Sequence, residues 1–161
     1  MSGPFDPRTA PPLADAPELC RLGVAALTLA YRQGRLSPVE ATEAALARAT
    51  EVQARPNAFT RIDADLALAQ ARAAAARWGA GTPASAIDGV PLTIKDIVWV
   101  EGWTIHYGSR TTPVTPPHDA PAIARLRAAG GAFLGLTTTP QFGGKAVTDN
   151  PVSRGTTNPW N

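Results

Sequence analysis

The sequence predicts an α/β fold: helices through the front half, then the first strands of a mixed sheet flanked by helices. Three features carry that expectation. Apolar residues recur at helical spacing between residues 18 and 79. After Gly81, Pro83 and Gly89 the pattern switches to alternation over residues 90–95. A helical stretch then leads to a second strand-like run at 132–136, and strand, crossover, strand implies a parallel pair joined right-handedly.

The elements follow in order. Residues 1–17 hold Pro4, Pro7, Pro11, Pro12 and Pro17. Proline at that density removes donors and blocks helix, so a flexible arm is expected, with the N-terminal part of one domain over 18–161. A first helix is expected from Glu18 to Gln33, with Leu19, Leu22, Ala26, Leu29 and Ala30 inward and Gly34 as its stop. Ser37-Pro38-Val39-Glu40 is a capping box with proline at the first helical position. The helix it opens should reach Ala54, burying Val39, Ala45, Leu46 and Ala49. A third helix follows Asp63 and ends at Gly79, its alanines allowing close packing.

Val90 to Lys95 reads as a strand, with Leu92 and Ile94 on one side and Thr93 and Lys95 on the other. About twenty residues without clear structure follow, Val98 to His118, a length that is uncommon unless functional or covering a site. Asp119 is expected to cap a helix through Ala122, Ile123, Leu126 and Ala129, closed by Gly130. Beyond Thr137 the sequence is turn-rich, and no helix or strand is expected. A sheet of two strands is marginal alone.

Composition excludes several classes. The chain has 161 residues, 44% hydrophobic and 17% charged, enough for one domain with a core and no metal or disulfide staple. Its net charge is +2, and acids and bases alternate through the middle, so no basic block tracks phosphates and no nucleic-acid partner is expected. Cys20 is the single cysteine, which fits a reducing compartment, and its expected role is buried packing. The first residues are not a secretory signal, and the Ala-rich stretch 64–76 is too short and polar to span a bilayer. The cytoplasm is the expected location.

Few residues could carry chemistry. His106 and His118 have no metal-ligand partner at useful spacing and are expected to make loop contacts; no cofactor is implied. No phosphate-cradling glycine motif or nucleophile elbow is present. Ser37 serves as a cap, and Ser85 and Ser153 have no base nearby in sequence. That leaves Lys95. A lysine at a strand end is ordinarily a solvated surface charge. The functional alternative is an amine kept neutral by its surroundings and used as a general base.

The stretch Asp88-Gly-Val-Pro-Leu-Thr-Ile-Lys95-Asp96 resembles the lysine motif of the amidase-signature family. Further pieces match in order: Tyr107-Gly-Ser-Arg110, the helix from Asp119 to Gly131, Gly135 to Gly143, Thr148-Asp-Asn-Pro151, and Thr157-Asn-Pro-Trp-Asn161. The resemblance covers nearly everything after the arm. Three positions depart from it: Leu136 stands where lysine is usual, Gln141 where glutamate is usual, and Gly144 where an aromatic is frequent.

The resemblance implies an incomplete amidase-signature fold and amide C–N hydrolysis by a Ser–cis-Ser–Lys mechanism. Lys95 carries over as the catalytic lysine, acting through a bridging serine on a nucleophilic serine. Both serines belong to a Gly/Ser-rich loop that follows the Asn-Pro-Trp-Asn run in the family, and no residue here matches them. Asp96 is expected to serve structure. The expected whole is the N-terminal part of an amidase acting on a small linear amide, inactive by itself and pairing with the remaining C-terminal portion. The alternatives are the A-type subunit of a tRNA-dependent amidotransferase and a non-catalytic partner-binding domain.

Overall fold

The computed structural model describes residues 18–158; the Pro-rich arm expected over 1–17 lies outside the described residues. A 3-10 turn, Glu18–Arg21, precedes α1 (Val24–Arg32) and α2 (Pro38–Gln53). β1 (Phe59–Ile62), α3 (Ala64–Gly79), β2 (Pro91–Lys95), α4 (Pro121–Ala128) and β3 (Ala132–Thr137) follow. A second 3-10 turn, Gln141–Gly143, leads to the short hairpin β4 (Asp149–Asn150) and β5 (Arg154–Gly155). The α/β class is as expected.

The front helix differs from expectation. Instead of one helix from Glu18 to Gln33, a break at Leu22-Gly23 separates the 3-10 turn from α1. The break resets the helical phase. Leu27, Ala30 and Tyr31 are buried, whereas Ala26 and Leu29, expected inward, are exposed. Cys20 is also exposed, not buried packing, because the 3-10 turn presents it outward; its thiol donates to the Ala44 carbonyl at 3.5 Å.

α2 and α3 form as the sequence dictates. Ser37 Oγ accepts the Glu40 N–H at 3.2 Å, and Glu40 Oε2 accepts the Ser37 N–H at 2.8 Å. Two end donors are thereby satisfied at once, worth about 1 kcal/mol in similar caps. Asp63 caps α3 by accepting the Leu66 N–H at 3.2 Å. Ala67, Ala71 and Ala74 of α3 have no exposed surface, so the helix approaches α2 and β3 closely.

The sheet has three strands in the order β1-β3-β2, with β2 parallel and β1 antiparallel to β3. The sequence reading missed β1. Its four residues are too few to show a period, and its partner lies far along the chain. β3 carries a bulge: Leu92 pairs with Phe133 and Thr93 with Gly135, leaving Leu134 unmatched. Phe133 and Leu136 therefore both enter the main core with Ile94 and Ile123, while Leu134 packs with Leu46 and Ala67. Gly135 is required here, since a Cβ would lie 2.0 Å from the Arg61 carbonyl oxygen.

The long segment between β2 and α4 is irregular in backbone, apart from a bridge between Ile105 and Val114. It is nonetheless part of the core: Val100 and Ile105 have no exposed surface and Trp103 is 4% exposed. Asp119 does not cap α4; Ala120 is the N-cap, without a side-chain bond, and Pro121 opens the helix. Asp119 instead accepts the Glu101 N–H at 2.8 Å and both nitrogens of a bidentate Arg127 at 2.6 and 2.9 Å. A charged fork is a stronger donor than a helix-end amide. After Thr137 the 3-10 turn and the β4–β5 hairpin replace the expected absence of regular structure.

Candidate functional site

Lys95 is the last residue of β2, at the carboxyl end of the parallel pair, where sites gather in such sheets. Alternation along β2 buries Ile94 in the core and leaves Thr93 and Lys95 exposed on the other side. Across the ladder Lys95 pairs with Thr137. The chain then turns sharply: Ile97 and Val98 donate to the Lys95 carbonyl at 2.7 and 3.0 Å, and Asp96 donates to the Thr137 carbonyl at 2.9 Å.

Asp96 fastens this turn. Its side chain has no exposed surface; Oδ1 accepts the His106 N–H at 2.8 Å, and its carbonyl accepts the Tyr107 N–H at 3.1 Å. Oδ2 lies 3.5 Å from His106 Nδ1, too far and poorly aimed for a hydrogen bond. The segment beyond Lys95 is thus pinned at its start by a buried carboxylate.

Asp88 fastens the other end of the motif. Its buried carboxylate takes Arg77 Nε at 2.8 Å and Nη2 at 2.5 Å, and the Ala84 N–H at 2.8 Å. Its carbonyl accepts the Trp78 indole N–H at 3.0 Å. The carboxylate raises the Arg77 guanidinium above its ordinary range. Gly130 lets β3's approach fit: a Cβ there would sit 2.1 Å from Asp88 Oδ1. Likewise the Arg127 fork holds the Asp119 carboxyl below the usual carboxylate range.

The other candidates are occupied elsewhere. Ser85 Oγ donates to the Ala129 carbonyl at 2.7 Å, Ser109 Oγ lies 2.9 Å from Thr111 Oγ1, and Ser153 Oγ accepts from Asn150 Nδ2 at 2.9 Å. His118 Nδ1 lies 3.3 Å from the Asp119 carbonyl, beside the Trp99 ring. Leu136 is 1% exposed in the apolar core, whereas Gln141 is exposed. Among the described residues no group of three or more His, Cys, Asp or Glu could hold a metal, and no helix is long and apolar enough to cross a membrane.

One feature had no sequence signal. A cavity of about 620 Å³ lies at the same end of the sheet, with Asn57, Phe59, Thr60, His106 and Arg154 in its wall. These residues come from separate stretches of the chain, and only folding brings them together.

This fold, with a lysine motif ending at the carboxyl edge of a parallel pair, is shared with known proteins. The Amidase family matches residues 40–161. The chain belongs to that family, the amidase-signature enzymes. It is 38% identical over 144 residues to the A-type subunit of the glutamyl-tRNA(Gln) amidotransferase of Chloroflexus aurantiacus, covering 89% of this chain and 30% of that protein. It is 40% identical to the corresponding protein of Roseiflexus castenholzii, covering 89% of this chain and 29% of that one. The chain therefore spans about a third of the length of the curated relatives it matches. A solved complex, described as vestigial and bearing on the origins of an s-triazine catabolic enzyme, matches at TM-score 0.80 and 30% identity, over 86% of this chain and 31% of that one. The peptide amidase of Stenotrophomonas maltophilia shares the fold at TM-score 0.81 and 24% identity, over 89% of this chain and 31% of that one.

Proposed function

We propose that this chain is the lysine-bearing segment of an amide-cleaving enzyme, with Lys95 as its general base. The observation that carries the reading is the placement of Lys95: exposed, at the carboxyl end of β2, with Asp88 and Asp96 fixing both ends of the motif. A neutral amine there would draw a proton from a bridging serine, which in turn activates the serine that attacks the amide carbon. The amine or ammonia leaves, and water releases the acid. No residue of this sequence matches either serine, so by themselves these residues turn over no amide.

The curated relatives favour one form of this enzyme, the A-type subunit of a tRNA-dependent amidotransferase, because they carry that name at 37–40% identity. A free amidase acting on a small linear amide is the second reading, supported by the solved amidases that share the fold. Lys95→Ala in the complete enzyme should lower turnover by about 10²- to 10⁴-fold, the usual worth of general-base assistance, with little change in melting temperature because the side chain is exposed. Assaying glutamine-dependent amidation of glutamyl-tRNA beside hydrolysis of simple amides separates the two forms. Unchanged turnover of both on Lys95→Ala would overturn the proposal.

A further inference from the structure

We propose that Asn150 is a positioning residue for amide cleavage: through it the β4–β5 hairpin fixes where the run from Thr157 onward starts relative to Lys95. This role rests on the reading of Lys95 as general base. It adds to that reading by naming what holds the amine and the serine-bearing part of the enzyme in one frame.

Lys95 pairs with Thr137 across the ladder, so β3 carries its position. The chain after β3 does not carry that position onward by itself. Residues 141–147 are all exposed, and the ion pair from Lys145 to Asp149, at 3.8 Å with both side chains exposed, adds little. The hairpin is tied to the end of β3 through space instead. Asn150 is 5% exposed, and its amide uses both donors and both acceptor positions. Nδ2 donates to the Thr139 carbonyl at 2.7 Å and to Ser153 Oγ at 2.9 Å. Oδ1 accepts the N–H groups of Val152 and Ser153, each at 2.8 Å. The two ends of the amide serve different walls. The oxygen shapes the hairpin turn, and the nitrogen fastens that turn to β3, two residues beyond the partner of Lys95.

A second tie lies just past β5. Thr156 Oγ1 is 2.6 Å from Thr138 Oγ1 and donates to the Asn57 carbonyl at 2.8 Å. The Thr156 N–H donates to the Thr148 carbonyl at 2.9 Å, and the Thr157 N–H to the Pro56 carbonyl at 3.0 Å. Thr157 therefore leaves the hairpin held against the end of β3 on one side and the lead-in to β1 on the other. Thr157-Asn-Pro-Trp-Asn161 is the run that the resemblance sets ahead of the two serines. A general base acts only on a hydroxyl delivered within hydrogen-bond reach, and a misplacement of about 1 Å can cost roughly a hundredfold in rate.

The test measures kcat, KM and melting temperature in the complete enzyme, for Asn150→Asp, Thr156→Val and Thr156→Ser, with Lys95→Ala and Asp149→Ala as controls. Asn150→Asp keeps both oxygen-side contacts but sets a carboxylate oxygen against the Thr139 carbonyl, acceptor against acceptor. Its kcat per folded molecule should fall roughly ten- to a hundredfold, with KM within about twofold of the parent. Thr156→Val should lose severalfold in kcat, and it carries the same test should Asn150→Asp fail to fold. Thr156→Ser keeps the hydroxyl and should match the parent, as should Asp149→Ala, whose side chain is exposed in the same hairpin. A purely structural role would lower the melting temperature of Asn150→Asp and leave the kcat of its folded fraction at the parent value. That result, or Thr156→Ser losing as much as Thr156→Val, overturns the positioning role. Full turnover in Lys95→Ala overturns the reading beneath it instead, so the two failures are distinct.

Discussion

Asp88→Ala is expected to destabilise the fold by about 3 kcal/mol, the lower end of the cost of breaking a buried ion pair. The structure sets that end of the range. The substitution removes three hydrogen bonds, two from Arg77 and one from the Ala84 amide, from a carboxylate with no exposed surface. Arg77, however, is 35% exposed and can recover water on part of its guanidinium. For a domain of this size the loss corresponds to a fall in Tm of roughly 6–12 °C. Asp88→Asn should cost nearly as much. Whichever way the amide turns, its NH₂ faces either the Arg77 guanidinium or the Ala84 N–H, a donor against a donor. Thermal unfolding of both variants, with Arg77→Met and the double variant, gives the coupling directly. Asp88→Ala costing under about 1 kcal/mol, or costing the same with and without Arg77, would refute the anchoring role assigned to this pair.

Two other perturbations test the fold. Gly135→Ala forces a Cβ to within 2.0 Å of the Arg61 carbonyl oxygen in the neighbouring strand, so β1 should detach from β3. A stable, soluble Gly135→Ala protein with an unchanged melting curve would contradict the bulge geometry. Burial raises the Tyr31 hydroxyl from 10.0 to about 12. The protonated phenol is favoured in the folded state, so its contribution is intact below pH 10 and is lost as pH rises through about 12, at most about 3 kcal/mol. Tyr31→Phe should flatten the decline in stability over that window; identical alkaline unfolding of parent and variant would exclude it.

Much of this architecture is legible in the chain because it is set locally. The Ser37 capping box, the start of a helix after Asp63 and the alternation through Leu92, Thr93, Ile94 and Lys95 each depend on residues a few positions apart, and each is seen. The missed features depend on distant partners. β1 exists because β3 pairs with it, and Asp119 leaves the helix end because Arg127 waits two turns along. The break before α1 had its sign in Gly23, but the apolar spacing continued across it and concealed the change of phase. The placement of Lys95 could be read in advance because an alternating strand fixes which side a residue faces. The cavity lined by Thr60, His106 and Arg154 could not, because no spacing links those positions and the extra residue that Thr60 forms in β1 is invisible until the strands are paired.

The burial of Val100, Trp103 and Ile105 sets a limit on motion. A long irregular segment after Lys95 invites the picture of a hinged cover that swings aside for each molecule entering. Here such a swing would drag three apolar side chains into water, at about 1.5–3 kcal/mol apiece. Taken together that leaves the lifted form below about one molecule in a thousand. Any motion that changes access to the exposed Lys95 would therefore belong to some other part of the protein, while this stretch stays fixed as the ground on which the amine stands.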